Sequence, residues 1–247
     1  MFFFLIGSIV GSFLNVIIIR TPNRESIVFP RSHCRLCKNK IPFYQNIPIL
    51  SYLLLKGRCY KCKEKISYQY ILIEMITGIL FFVSFNFFEF YEGILLAAVF
   101  SCLITLSAID FLYLLIPLKS ILILYFLVIL KYYLLNLDNI LDLFLGATIT
   151  TLYLGLPALF ISYIKHNKSV LGLGDILLTI FVGSWLGFFN GIVCLFIASM
   201  FGIIFTIYMQ KTKSRVNNKK IPFGSCISIA FALIVIFEEY ININLFI

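Results

Sequence analysis

Three observations predict an all-α polytopic membrane protein: the composition, the length of the apolar runs and the placement of charge. Hydrophobic residues make up 61% of the 247 residues, 13% are charged, and the mean hydropathy is +1.02. A water-soluble domain of this length is much less apolar. The predicted fold is therefore a bundle of about eight transmembrane helices, with a small cytoplasmic loop domain that binds zinc through four cysteines.

Apolar runs of spanning length recur along the chain. A spanning helix needs about 20 mostly apolar residues, and the first run is expected to be a retained helix, since no clear cleavage site follows it. The sixth run is short and interrupted by glycine, so we expect it to join the seventh in a tight hairpin through Asn190 and Gly191. The runs lie near 2–19, 70–88, 93–111, 120–137, 143–164, 176–189, 191–210 and 224–244.

These runs predict three regions. Residues 1–20 would form the first transmembrane helix, and residues 21–69 a cytoplasmic zinc-binding domain. Residues 70–247 would form a seven-helix membrane domain. Because loops on opposite sides of a membrane alternate along the chain, this division also fixes which loops share a side.

The basic residues predict the orientation. Of 20 Lys and Arg residues, eleven lie between Arg20 and Lys65 and five between Lys211 and Lys220. Loops rich in Lys and Arg stay in the cytoplasm, so we expect both termini outside and the cysteine-bearing loop inside. The net charge of +9 follows from this bias and does not indicate a nucleic-acid partner. The same alternation places Lys119, Lys165 and Lys168 inside and Glu89, Glu92, Asp138 and Asp142 outside.

Two aspartates lie at the margins of apolar runs, where a carboxylate is by default a functional-site hypothesis. The predicted topology places Asp110 at the cytoplasmic end of the third span and Asp175 at the cytoplasmic start of the sixth, so they share a depth. Two carboxyl groups held close in a poorly solvated site cannot both ionise easily and would share a proton. One could act as general base on a water while the other polarises a scissile carbonyl. This arrangement predicts an aspartyl protease, without assigning the two roles.

Glycines precede the second aspartate, and a glutamate lies near another span. Gly172 and Gly174 would let the chain bend and let a substrate backbone approach the carboxylate of Asp175. The alternative is a loop that turns into a helix with Asp175 as its N-cap. Glu74, near the cytoplasmic start of the second span, is a possible accessory residue, and the alternative is a solvated flank of that span.

Four cysteines form two Cys-x-x-Cys pairs, Cys34 with Cys37 and Cys59 with Cys62, with 21 residues between the pairs. In a reducing cytoplasmic loop disulfides are disfavoured, and tetrahedral ligation of a structural Zn²⁺ by four thiolates is favoured. Reduced thiols without metal are the alternative. A closed four-thiolate shell leaves no position for water, so the metal would organise the loop and not perform hydrolysis. Three further cysteines in apolar runs are expected to be small packing residues, namely Cys102, Cys194 and Cys226.

Several blocks, in order and nearly end to end, give the chain a resemblance to a known family. Besides the cysteine pairs, Glu74, Asp110 and the Gly-x-Gly-Asp run, they are Gly11–Val16, Gln45–Leu53, Gly57–Cys59, Ile116–Pro117 and Ile221–Gly224. The chain resembles the bacterial type IV prepilin peptidases, which are membrane aspartyl proteases. It departs from the family's usual pattern at Leu118 and Leu177, where members commonly have Asp and Lys.

The resemblance implies a function. It implies removal of the basic leader from type IV prepilins and pseudopilins, just after a glycine, at the cytoplasmic face of the bacterial inner membrane. The family's catalytic pair falls on Asp110 and Asp175, and its zinc ligands fall on the four cysteines. For many members it also implies methylation of the new amino terminus by S-adenosylmethionine, although the sequence has no glycine-rich cofactor fingerprint.

Two other classes of function stay open at this stage. A proton-coupled membrane transporter could use Asp110 and Asp175 as a proton relay, although transporters place such groups near the midplane, at breaks in paired helices. An inactive zinc-bearing scaffold of a pilus or secretion machine is the third possibility, and only the intact aspartates argue against it. The partners expected from the first reading are prepilins, pseudopilins and the lipid bilayer.

Overall fold

The computed structural model describes residues 1–135, 140–165, 171–211 and 221–245. Within these ranges the chain is almost entirely helical and contains no β-strand, which confirms the predicted fold class. The α-helices are α1 (Phe2–Arg20), α2 (Leu50–Leu54), α3 (Tyr68–Phe87), α4 (Phe90–Tyr113), α5 (Leu118–Leu134), α6 (Ile140–Lys165), α7 (Leu173–Lys211) and α8 (Phe223–Leu245).

The long helices coincide with the predicted spans. Five described helices, α1, α3, α4, α6 and α7, are long and apolar enough to cross a membrane. Large apolar side chains on them are exposed, such as Ile9 and Leu159, as expected where helices face lipid. The orientation in the membrane stays a prediction. It depends in part on Asp138, Lys168 and residues 212–220, which lie outside the described residues.

The chain divides into two compact units, Met1–Thr105 and Leu106–Ile247, with the boundary inside α4. The four paired cysteines and Glu74 belong to the first unit, and Asp110 and Asp175 belong to the second. The three regions expected from the sequence stay a prediction.

In the first unit, α1 and α3 pack closely along their length. A Cβ built on Gly11 would lie 2.9 Å from the Cα of Glu74, so the two backbones meet where glycine leaves room. One turn further along α1, the buried Asn15 amide donates to the carbonyl of Tyr70 on α3. Small residues and one polar side chain thus hold this helix pair together.

In the second unit, α7 reverses direction at Gly187. Gly187 has φ of 77°, a left-handed conformation that glycine adopts without steric cost. A Cβ built on Gly191 would lie 3.3 Å from the Cα of Gly183, whereas eight residues of straight helix would separate them by about 12 Å. Helix α7 is therefore a helical hairpin with two arms, 173–186 and 188–211.

The predicted position of this hairpin turn was wrong by one helical turn. Asn190 and Gly191, expected at the turn, lie inside the second arm. The reason is packing: a Cβ on Gly191 would lie 2.6 Å from Cγ2 of Thr150 on α6, while nothing lies within 4 Å of a Cβ on Gly187. Gly191 is thus used for close approach, and Gly187 supplies the turn.

The α7 hairpin is central to the second unit, because it packs against α5, α6 and α8. Phe181 and Trp185 on its first arm contact Phe231 of α8 through their rings. Lys131 on α5 is a basic residue inside a predicted span, and its Nζ donates to the Trp185 carbonyl. The same Nζ lies 4.7 Å from the centre of the Trp185 ring. These contacts hold the first arm, at whose start Asp175 lies.

Replacing Gly146 on α6 by Ala is expected to destabilise the second unit. An added Cβ would overlap the Gly183 carbonyl group on α7, and those are backbone atoms that cannot turn aside. We expect a loss of about 1–3 kcal/mol, measured as a lower unfolding temperature in detergent. Gly155→Ala, on the same helix with open space around it, is the matched control. An equal effect from both substitutions would contradict the close contact.

Candidate active site

Asp110 lies near the end of α4 with only 5% of its surface exposed. Its Oδ2 atom accepts a hydrogen bond of 3.0 Å from the backbone N–H of Ser225, and a Cβ built on Gly224 would lie 3.1 Å from the same atom. Both residues lie in the first turn of α8, whose N–H groups have no partner within the helix. The N-terminus of α8 thus supplies the hydrogen bonds that a buried carboxylate needs.

The start of α8 is fixed beside Asp110 by local chemistry. Pro222 directly precedes the helix, where its missing N–H costs nothing. The hydroxyl of Ser225 donates to the Ser107 carbonyl in the last turns of α4 at 2.8 Å and lies 3.4 Å from Asp110 Oδ2. One serine therefore ties the first turn of α8 to the helix that carries Asp110.

Asp175 is the third residue of α7, which begins at Leu173. The alternative in which Asp175 is the N-cap of this helix is therefore wrong. Its side chain turns back toward Gly172, the residue directly before the helix, as a side chain in the first turn can do. Asp175 is half-buried, and Tyr125 on α5 holds the same turn by donating to the Leu177 carbonyl at 2.7 Å.

The structure brings the two aspartates together within the second unit. Their carboxyl groups interact electrostatically, and the thiol of Cys226 on α8 interacts with both of them. Two carboxyl groups with this little solvent around them cannot both ionise easily, so the arrangement suits a pair that holds one proton between them. Such a pair can supply a base and an acid for one reaction.

Ile116 fills the space between the start of α7, which carries Asp175, and the start of α8, which lies against Asp110. A Cβ on Gly174 would lie 2.7 Å from Cβ of Ile116, and a Cβ on Gly224 would lie 3.1 Å from Cδ1 of Ile116 and 3.1 Å from Oδ2 of Asp110. Gly174 therefore allows the close approach of Ile116. Gly172 is exposed, with Asp175 Oδ2 3.1 Å from the position of its missing Cβ. The role of these two glycines in substrate approach stays a prediction.

The four paired cysteines form a cluster in the first unit. Their Sγ atoms all lie within 4.8 Å of one another, and those of Cys34 and Cys62 are 3.8 Å apart. Tetrahedral ligation with Zn–S bonds of about 2.3 Å would separate the sulfurs by about 3.8 Å. The donor set and its spacing therefore fit a four-thiolate metal site.

The two cysteine pairs have the same local geometry. In each, the first cysteine donates its N–H to the carbonyl five residues later, and a lysine four residues later, Lys38 or Lys63, has φ of 57° or 58°. The backbone amides of Cys62 and Lys61 lower the pKa of Cys59 to about 6, against the opposing effect of burial. Backbone N–H groups directed at sulfur favour the thiolate form that binds metal.

Glu74 on α3 is 7% exposed, so the alternative of a solvated flank is wrong. Its Oε2 accepts a hydrogen bond of 2.7 Å from the backbone N–H of Ile49, and its backbone packs against Gly11 of α1. Ile49 directly precedes α2 and has φ of 62°, a strained conformation for a β-branched residue. Glu74 thus fastens the loop that follows the first cysteine pair to the α1–α3 pair.

Sequence analysis missed three residues of the site. Ile116 belongs to one of the blocks noted only for their resemblance, and Ser225 directly follows another. Cys226 was expected to be a packing residue. Cys226 is indeed buried, at 6% exposed, but it also lies beside both aspartates. The signal that was present is Pro222, which marks the start of a helix whose first N–H groups are free to bind an anion.

Two family models match the chain in succession. The bacterial peptidase A24 N-terminal domain matches residues 5–88, a range that contains all four paired cysteines and Glu74. The type IV leader peptidase family matches residues 97–207, a range that contains Asp110 and Asp175. Both parts of the chain are thus accounted for by models that occur in leader peptidases.

Similar proteins carry corresponding names. A prepilin leader peptidase/N-methyltransferase of Myxococcus xanthus is 35% identical over 87% of this chain, which spans 64% of that protein's length. A type 4 prepilin-like proteins leader peptide-processing enzyme of Escherichia coli is 31% identical, over 90% of this chain and 88% of that protein. A prepilin leader peptidase/N-methyltransferase of Pseudomonas putida is 28% identical, over 96% of this chain and 90% of that protein.

No solved structure gives a significant match. The sequence relationship therefore carries the assignment: a relative more than 30% identical is covered over most of its length, and the two family models match adjoining parts of the chain in order. The described helices, with five that could cross a membrane, agree with it. This chain belongs to the type IV leader peptidase family and is a membrane-embedded protease.

Proposed function

We propose that this chain is an aspartyl endopeptidase that removes the basic leader of type IV prepilins and pseudopilins, cleaving after a glycine at the cytoplasmic face of the bacterial inner membrane. The observation that carries the proposal is the convergence of the two aspartates in one compact unit: Ile116 lies against both Gly174, next to Asp175, and Gly224, beside Asp110 Oδ2. Relatives named for prepilin processing supply the substrate class.

The chemistry follows from a carboxyl pair that holds one proton. The ionised carboxylate takes a proton from a water molecule as that water attacks the scissile carbonyl carbon, and the protonated carboxyl donates a hydrogen bond to the carbonyl oxygen. As the tetrahedral intermediate collapses, the carboxyl group that took the proton from water passes it to the leaving amine, which departs as the new amino terminus of the pilin. The low exposure of Asp110 and partial burial of Asp175 restrict bulk water around these steps.

The location of the reaction follows from the charge pattern. Basic loops stay in the cytoplasm, so Asp110 and Asp175 would lie at the cytoplasmic membrane boundary. A prepilin has the matching arrangement, because its basic leader stays inside while its apolar segment lies in the bilayer. The junction between them would lie at the depth of the carboxyl pair. Transport and scaffold functions lose support because the family consists of proteases.

Structural zinc and N-methylation are separate parts of the proposal. Cys34, Cys37, Cys59 and Cys62 would hold Zn²⁺, which would stabilise the loop domain and leave no open position for catalysis. Methylation of the new amino terminus, with S-adenosylmethionine as donor, is favoured by the names of several relatives. It stays a prediction, with no residue of this chain assigned to it.

Replacing Asp110 or Asp175 by Ala should abolish leader cleavage, because each removes half of the acid–base pair. We expect a loss of at least about 100-fold, measured by incubating a prepilin that carries its leader with membranes containing each variant at matched expression. Asp142→Ala, an exposed carboxylate on α6, is the control and should cleave like wild type. Full activity of either aspartate variant would refute the assignment.

Replacing Cys34 or Cys62 by Ser should remove the metal. Purified wild-type protein is expected to contain about one zinc per chain, and each variant should lose it, with lower yield because metal binding contributes to folding of the loop. Metal content by elemental analysis is the measurement. Cys102→Ala, outside the cluster, should retain full zinc content, and a Cys62→Ser protein with normal zinc would overturn the ligand set.

We propose that Glu74 holds the loop at Ile49 in place, which hydrogen exchange can test. Glu74→Ala would leave the partly buried N–H of Ile49 without its acceptor, at a cost of about 1 kcal/mol. Deuterium exchange in the peptide containing Ile49 should therefore become faster. Glu74→Gln keeps an acceptor oxygen and should retain most of the protection. Unchanged exchange in Glu74→Ala would show that this hydrogen bond does not hold the loop.

A further inference from the structure

The two aspartates have unequal surroundings, although the sequence gives no means to tell their roles apart. Asp110 is 5% exposed, and its Oδ2 accepts from the backbone N–H of Ser225 at 3.0 Å, with the Ser225 hydroxyl 3.4 Å away. Asp175 is half-buried and lies against Gly172, a glycine that is exposed. Hydrogen bonds donated to a carboxylate favour its ionised form.

The donors to Asp110 come from α8, a helix of 23 residues, whose first turn is directed at a side chain of α4. The Ser225 N–H cannot be turned away, because it is part of the backbone of a helix whose start follows Pro222. The charge of Asp110 is therefore compensated by a rigid arrangement that needs little reorganisation during the reaction.

Resting on the proposed function, we propose that Asp110 is the ionised general base of the pair, that Asp175 carries the proton, and that Ser225 is the positioning residue that enforces this division. The Ser225 hydroxyl donates to the Ser107 carbonyl at 2.8 Å, which ties the first turn of α8 to the helix of Asp110. The same hydroxyl lies 3.4 Å from Asp110 Oδ2, so it adds polar character around the charge.

In the reaction, Asp110 takes the proton from the attacking water, and the carbonyl oxygen receives a hydrogen bond from protonated Asp175. Among the described residues, the titratable groups that interact with Asp110 are Asp175 on α7 and Cys226 on α8. Loss of the Ser225 hydroxyl loosens the alignment of the α8 N–H groups on Asp110. Its anion is then less stabilised, and a higher pH is needed to keep it ionised.

Ser225→Ala is the test, with leader cleavage followed as a function of pH. At the pH optimum we expect kcat to fall about threefold to tenfold with KM unchanged. The acid limb of the pH–rate profile should move to higher pH by about half a unit, while the alkaline limb stays in place. Ser225→Thr, which restores a hydroxyl, should recover both the rate and the acid limb.

Ser228→Ala is the matched control. Ser228 lies one turn further along α8, is also buried, and donates only to the Gly224 carbonyl within its own helix. Its substitution should leave both limbs in place. Should Ser225→Ala fail to accumulate, Ser225→Cys keeps a side chain of similar size with a weaker donor and should move the acid limb in the same direction.

Each result decides a different point. An unmoved acid limb in Ser225→Ala and Ser225→Cys, or the same shift in Ser228→Ala, would overturn the positioning role. A shift of the alkaline limb alone would reverse the roles of the two aspartates. A wild-type protein that cleaves no prepilin would refute the proposed function itself, which separates that failure from failure of this inference.

Discussion

Burial of the Asp110 carboxyl group is the constraint on which the second unit depends. A carboxylate removed from water is very costly unless fixed donors replace the water. In a helical membrane protein, backbone N–H groups are already paired except at helix starts. Helix α8 therefore begins where its first turn reaches Asp110, and Ser225 holds that turn against α4. Asp175 lies at another helix start, and Ile116 fills the space between the two.

The α7 hairpin turns this local chemistry into a rigid site. Its first arm carries Asp175, and its aromatic residues pack against α8, the helix that supplies the donors to Asp110. Backbone contact between α6 and the hairpin requires glycine at Gly146 and Gly183, so the position of the arm is set by atoms that cannot rearrange. Because the starts of α7 and α8 are held in this way, they can keep the carboxyl groups of Asp110 and Asp175 close despite the repulsion between their charges.

In the first unit a different principle operates, because the segment between α1 and α3 contains few regular elements. Its order comes from two cysteine knuckles with matching hydrogen bonds and from Glu74, which holds the loop before α2. A metal bound by the four thiolates would add a cross-link that such a small segment cannot obtain from a hydrophobic core. Buried polar contacts and sulfur ligands thus replace secondary structure there.

Much of this organisation could be predicted from the sequence. Span positions follow from apolar length alone, and the cysteine cluster follows from two short motifs, so both were predicted close to their observed places. The hairpin turn was misplaced because Gly187 and Gly191 look alike in sequence, and only contact with Thr150 tells their uses apart. The partner of Glu74 was missed because Ile49 lies 25 residues away in a loop, and Ser225 because it is 115 residues from Asp110. Such long-range hydrogen bonds leave no periodic signal.

The measurement that tests the central claim most directly is infrared difference spectroscopy of the purified protein in lipid nanodiscs, compared with Asp110→Asn and Asp175→Asn. If the aspartates form one coupled pair, wild type at neutral pH should show a protonated carboxyl band that Asp175→Asn removes and Asp110→Asn shifts. A carboxyl spectrum that neither substitution changes would contradict the account, because the two groups would then not share a proton.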